Sequence, residues 1–262
     1  EAKDEKKEGV GEIKEKDFVL IDITGKIKKT GDIFITTDEE VAKNEEIHDP
    51  NSLYKPYLVI VGENFSIQGL AIKGVSPELM GMKVGETKTI EVPPEDAFGE
   101  RSSKRIKTYS MKNVKKVEKN PLLGKRITID NKSGVITRID RGRVNIDFNH
   151  PYAGLYINYE VTIKEKITDK EEKINKLIQS RIPLKDPNQI EIKREEETIS
   201  LILPGQIAFQ LAKHLPMIKL GLSMDIQRNF EVKTVKFIET YGENMFGGGL
   251  AHNHDHDHNH DH

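Results

Sequence analysis

Nine histidines and no cysteine set the reactive inventory of this 262-residue chain. Six of them, His252, His254, His256, His258, His260 and His262, alternate with Asp and Asn behind Gly247-Gly248-Gly249. Alternating imidazoles of this kind suit Ni or Zn. An abrupt terminal repeat also has the form of an affinity tag, and that is the preferred reading. Only His48, His150 and His214 lie elsewhere, and no Gly-rich phosphate loop or Ser–His–Asp spacing accompanies them. Hydrolysis and group transfer are therefore poorly supported, and no cofactor is required. The lack of cysteine removes thiol nucleophiles, thiolate metal sites and disulfides together. What remains is apolar and aromatic, and it gathers around the run Ile90 to Gly99.

That run begins as a strand in which Lys88, Ile90 and Val92 alternate with Thr87, Thr89 and Glu91. Pro93-Pro94 stops it, because proline fixes φ and has no N–H for a ladder. Ala97-Phe98-Gly99 then places one ring at the strand's end, and Met80 to Glu86 is the Gly-bounded turn that feeds it. Upstream, Phe18 to Lys26 and Asp32 to Thr37 read as two strands around a turn at Lys28 to Gly31. Asp38 caps a short helix in an acidic insertion that runs to Ser52. Pro56 to Gly62 is a further strand. Phe65 to Ile72 enters a helix that Gly69 lets pack closely, closed by Pro77 to Met80. Leu155 to Lys166 is a long strand carrying Tyr156 and Tyr159.

Length allows one to three domains. The net charge of −2 hides an asymmetry. Residues 100–148 hold fourteen Lys/Arg against five Asp/Glu, a surplus of nine, and leave the rest of the chain at −11. Such a sign change marks a separate unit. In its second half Arg126 to Asp130 and Val135 to Ile139 read as strands around a turn at Asn131 to Gly134. Arg141-Gly142 turns again, and Val144, Ile146 and Phe148 share a face.

After Ile167, Thr168-x-x-Glu171 reads as a capping box before Ile174, Leu177, Ile178 and Ile182 at helical spacing. A hairpin around Glu195 to Glu197 follows, then a helix over 206–220 that Pro216 kinks or interrupts, then a strand over 230–241. The charged run Glu1 to Gly11 reads as a disordered leader. No apolar run approaches a membrane span of about 18 residues. The expected location is the cytoplasm. Because the chain opens on Glu1, a trimmed, anchored or extracytoplasmic form stays open.

The segments Gly81-Met82-Lys83-Val84-Gly85-Glu86 and Pro93-Pro94-Glu95-Asp96-Ala97-Phe98-Gly99 resemble the FKBP peptidyl-prolyl isomerases. Thr24-Gly25, Gly31, Phe34 and Thr36-Thr37 extend the resemblance through the first hairpin. The run Phe148-Asn149-His150-Pro151-Tyr152-Ala153-Gly154 is similar to the insert exit of long archaeal and SlyD-type members. The resemblance implies an α+β fold: an FKBP antiparallel sheet wrapped on a short helix, an inserted small β-rich domain and a C-terminal α+β domain. The expected division is a leader at 1–11, an isomerase domain at 12–99 and 149–167, and an insert-in-flap domain at 100–148. A C-terminal domain at 168–243 and a tail at 244–262 complete it.

Carried over by position, the resemblance implies that Phe34, Tyr57, Ile67, Leu70, Phe98 and Tyr159 surround the proline ring. Ile23 and Ile35 stand where the family usually has a tyrosine and the pocket aspartate, and Phe98 lacks a tyrosine's hydroxyl. The main expectation is isomerisation of X–Pro bonds combined with folding assistance. The alternative is a binding-only holdase with an impaired pocket. Prolyl isomerisation breaks no covalent bond, so a dry apolar site suffices where reacting side chains are absent. In the insert, Ile106, Tyr109, Met111, Val114, Val117, Leu122 and Leu123 are expected to bind unfolded or nascent chains. A solvated basic face without a partner, and nucleic acid ranked last, are the competing readings. The resemblance also implies metal binding for a native His-rich tail. His150 reads as a structural flap residue, and the oligomeric state is open.

Overall fold

The computed structural model describes residues 11–63, 72–182 and 189–242. The chain divides into two compact units, Glu1–Thr168 and Asp169–His262. No helix among the described residues is long and apolar enough to cross a membrane.

The first unit is built on strand β1 (Phe18–Ile27), which alternates between buried and half-buried residues from Val19 to Gly25 and is rich in β-branched types. One edge of β1 is shared by two short strands. β2 (Ile33–Thr36) pairs its C-terminal half and β3 (Tyr57–Ile60) its N-terminal half. The other edge takes β9 (Ile157–Ile167) antiparallel along its full length, and β4 (Thr87–Val92) closes the sheet against β9. Val19, Ile21, Ile23, Ile90, Val92, Ile157, Tyr159, Val161 and Ile163 form one buried core.

Helix α1 (Glu39–Asn44) starts as expected. The Asp38 carboxylate accepts from the N–H groups of Glu40 (2.8 Å) and Val41 (3.1 Å). Helix α2 (Ile72–Val75) continues into a 3₁₀ turn at Ser76–Leu79. Gly69, Ile67 and Leu70 lie outside the described residues. In α2 itself Gly74 packs closely: an added Cβ there would fall inside the contact shell of Val92.

The basic insert is a four-stranded sheet in the order β5 (Ile106–Ser110), β8 (Arg143–Asp147), β7 (Lys132–Asp140), β6 (Arg126–Ile129). Helix α3 (Met111–Val117) adds Val114 to a core of Ile127, Ile129, Ile136, Val144 and Ile146. Two sequence expectations change here. The turn between β6 and β7 is only Asp130-Asn131, both left-handed (φ 52° and 58°), so Lys132 to Gly134 belong to β7. A two-residue turn with both φ positive matches the twist of the flanking strands. Residues 106–117, read as an exposed apolar row, fold as β5 and α3. Val114 is fully buried and Ile106, Tyr109 and Met111 are half-buried, while Val117, Leu122 and Leu123 remain exposed.

Entry and exit of the insert are tied side by side. The Ser102 N–H donates to Asn149 Oδ1 (2.9 Å), and Asn149 Nδ2 returns a bond to the Ser102 carbonyl (3.0 Å). Arg101 pairs with the buried carboxylate of Asp147. The Gly154 N–H reaches the Gly99 carbonyl at 2.8 Å.

In the second unit, α4 (Lys170–Arg181) is capped by Asp169, whose carboxylate accepts the Glu172 N–H at 2.8 Å. The cap is one residue later than the Thr168 expectation; a carboxylate also favours the positive end of the helix dipole. β10 (Glu191–Glu195) and β11 (Thr198–Pro204) form the expected hairpin. Pro216 interrupts the following helix outright. α5 (Gly205–Gln210) ends, and α6 (Leu215–Asn229) restarts with the proline in its first turn, where its missing N–H costs nothing. β12 (Thr234–Thr240) then joins β11 in parallel.

The insert core is small, so each buried group weighs heavily. Ile146→Ala should destabilise the insert by roughly 2–5 kcal/mol. Urea unfolding followed by hydrogen exchange of β7 and β8 would measure it; a loss below about 0.5 kcal/mol would contradict a packed insert core.

Candidate functional site

The cluster begins with a side chain that is absent. Gly25 lies mid-strand in β1, paired with Ile35 of β2 on one side and Tyr159 of β9 on the other. A Cβ built there would lie 2.7 Å from Tyr159 Cε1, 2.8 Å from Ile35 Cγ2 and 3.0 Å from Phe34 Cζ. Three side chains therefore converge on the space above one glycine.

Phe34 reaches that space through a register slip. Gly25 faces Ile35 while Lys26 faces Ile33, so Phe34 is the extra residue of a β-bulge. A bulge re-aims its residue out of strict alternation. Consecutive residues Phe34 and Ile35 thus both pack on the same core. Phe98 arrives from the end of β4. The Pro93 and Pro94 carbonyls accept from the N–H groups of Ala97 (3.0 Å) and Gly99 (2.7 Å), winding 93–99 into a compact turn. Gly99 closes it at φ 80°, which glycine adopts without strain. Lys73 of α2 holds Asp96 of this turn at 2.5 Å.

The rings then assemble. Phe34 lies 5.7 Å from Phe98 and 6.1 Å from Tyr159, both edge-on. Two further rings were not expected. Tyr152 sits 4.7 Å from Phe34 and 5.4 Å from Phe98. His150 stacks flat on Phe98, 4.5 Å apart with 4° between planes. Both come from the exit of the insert, where the Tyr152 N–H donates to His150 Nδ1 at 3.2 Å. That bond requires an unprotonated Nδ1. Burial, and secondarily the positive charge of Arg126, hold the imidazole's pKa below its ordinary 6.5. His150 is therefore part of the ring cluster, not just a support for the flap. The sequence signal existed but was discounted: Tyr152 fills the variable position of the exit run, where no identity is prescribed.

The other expected residues fall in different places. Tyr57 is half-buried on β3 against the same core, and burial pushes its phenol pKa up. Tyr159 is fully buried and so forms floor instead of wall. Ile23 is 1% exposed and paired with Val161, one row from Gly25. It supports the floor from within the core. Val114 is enclosed by the insert's own core. Tyr109 turns its ring edge-on to Phe148 (6.3 Å) and its hydroxyl to Asp130 (2.9 Å). Leu122 and Leu123 are 56% and 69% exposed. Ile67, Leu70 and the six tail histidines lie outside the described residues.

A separate depression of about 440 Å³ opens among Asp22, Thr24, Asp38, Glu39, Glu160 and Thr162. It is polar and acidic and holds none of the rings.

Residues 9–112 match the family described as FKBP-type peptidyl-prolyl cis-trans isomerase, 108–152 match the FKBP26 IF domain and 170–242 the FKBP26 C-terminal domain. A short-type peptidyl-prolyl cis-trans isomerase of Methanocaldococcus jannaschii is 30% identical over 153 residues, 58% of this chain and 93% of that one. The FKBP-type 16 kDa isomerase of Escherichia coli is 29% identical over 98 residues, 36% of this chain and 65% of its own length. SlyD of Vibrio cholerae is 30% identical over 99 residues, covering 35% and 47%. With 93% of the archaeal relative covered at 30% identity, this chain belongs to the FKBP-type peptidyl-prolyl cis-trans isomerases.

Proposed function

We propose that the ring cluster over Gly25 binds an X–Pro segment of an unfolded or partly folded protein and speeds its cis–trans rotation. The convergence of Phe34, Ile35 and Tyr159 on the Gly25 space, with Phe98 5.7 Å from Phe34, is the observation that carries this reading. Rotation about the amide faces a barrier of about 18–20 kcal/mol because resonance stiffens the C–N bond. The twisted transition state has lost that resonance and is less polar. A water-poor wall of rings favours it over the planar amide without any proton transfer. A thousandfold acceleration needs only about 4 kcal/mol.

Phe34 and Phe98 serve as walls, Tyr159 as floor, and Tyr57 as a flank of the same hollow. Tyr152, packed on both walls, swings aside or rides over the entering proline. The insert is proposed to hold the client nearby through Val117, Leu122 and Leu123, exposed apolar groups ringed by lysines. Because the entry and exit of the insert are bound together and its exit bears His150 and Tyr152, capture and rotation share one segment.

Three outcomes test the reading. Gly25→Ala should lower kcat/KM on a proline tetrapeptide at least about tenfold, a transition-state loss of about 1.4 kcal/mol. Unchanged kcat/KM in a folded variant would remove the cluster from the reaction. Ile35→Asp, which puts a hydrogen-bonding group beside Phe34, should raise kcat/KM in the same assay; equal rates would show that the apolar site is already complete.

The third outcome concerns pH. With its folded pKa depressed, the neutral imidazole of His150 and its bond from Tyr152 are fully present above pH 6.5 and lost as pH falls through the lower folded value. An NMR titration of the ring should show a midpoint below 6.5. A midpoint at or above that value would contradict the depressed pKa of the stacked ring.

A further inference from the structure

The insert's sheet has two faces. One is sealed by α3 and the core around Ile146. The other is open, and the register places its side chains in rows. Thr108, Asn145 and Arg138 lie side by side across β5, β8 and β7; Ser110, Arg143 and Asp140 form the next row. Arg141 sits in the turn between β7 and β8, with φ 42°. Thr108, Asn145, Arg138, Asp140, Arg141 and Arg143 line a hollow of about 530 Å³.

Its chemistry is one-sided. Asp140 is the sole acid, and it takes Arg138 Nη2 at 3.0 Å. Arg141 and Arg143 have no carboxylate partner among the described residues. The Thr108 hydroxyl donates to Asn145 Oδ1 (2.9 Å), so the bond engages the amide oxygen and not the N–H donors of this lining residue. The insert holds eight lysines and six arginines, yet every cation at this hollow is arginine. A planar guanidinium matches two oxygens of one phosphate in a way that an ammonium does not. No apolar side chain lines the hollow, so it differs in kind from the surface around Leu122 and Leu123. No ring lines it either, because Tyr109 is turned to the opposite face against Phe148.

From this we infer that the open face of the insert's sheet binds the phosphodiester backbone of nucleic acid, without reading sequence. Guanidinium forks and amide donors suit phosphate oxygens, and the missing aromatic platform removes base stacking. A surplus of nine positive charges over 100–148 draws the polyanion in. The site is separate from the ring cluster and does not rest on the reading given for it.

The test is fluorescence anisotropy of the full chain with a labelled 20-nucleotide RNA of mixed sequence. Binding should weaken with salt, with a log–log slope of about −2 if three arginines each displace one counterion. R138A/R141A/R143A should weaken binding at least about tenfold and flatten the slope, while K115A/K116A, on α3 over the other face, should stay within about twofold. Both variants should keep wild-type isomerase activity on a proline tetrapeptide, which shows that they are folded. Wild-type RNA affinity in the triple arginine variant would overturn the inference. So would absence of binding at low salt, or displacement of RNA by polyglutamate as effectively as by unlabelled RNA.

Discussion

Gly25 carries no side chain, and the ring cluster occupies the space this leaves. A mid-strand glycine is ordinarily a weakness, since it packs nothing and gives up more chain entropy than any other residue. Here the neighbours exploit the gap. Tyr159, Ile35 and Phe34 lean in from two flanking strands to within 2.7–3.0 Å of where a Cβ would stand. Phe34 gets there because the β1–β2 ladder slips by one residue at that row. The glycine and the bulge are thus one device: the first clears the floor, the second points a ring over it. Phe98, Tyr152 and His150 then stack on a base that is already rigid.

The sequence revealed the scaffold better than the surface of the site. Alternating runs in β1, β4 and β9 were legible because each has one buried face and keeps a period of two over most of its length. Phe34, Phe98 and Tyr159 could be placed through the resemblance, since they sit in runs with fixed neighbours. Tyr152 and His150 were passed over as ring-cluster residues because their run reads as a turn, and turn composition says nothing about which rings meet. Burial was also misjudged where a short helix intervened. Val114 was expected among the apolar groups that meet clients, yet it is the residue through which α3 fills the insert's core. Thr168 lost the cap to Asp169 for a local reason: both have an acceptor three residues ahead of a suitable N–H, and the chain turns at the second.

The insert divides its chemistry by position. Its apolar exposed groups, Val117, Leu122 and Leu123, lie at the end of α3 and in the loop before β6, while arginines take the open strands around Asn145. Alternation along β8 sends Val144 and Ile146 to the core and Arg143 and Asn145 to the open face, while a β-bulge between Ile136 and Arg138 turns β7 from the core row to the open one. A one-residue slip in either strand would exchange the two sets. The tight turns at Asp130-Asn131 and Arg141-Gly142 fix the register, so they decide which chemistry meets solvent.

The fastening by Asn149 has a consequence for ancestry. Because its amide holds the Ser102 backbone on one side while its own chain continues on the other, the inserted strands leave and rejoin the host at almost one point. Nothing in the host sheet has to part to accommodate them. A genetic event that added or deleted the whole segment would change the length of one hairpin tip, leaving the ladders of β1, β4 and β9 intact.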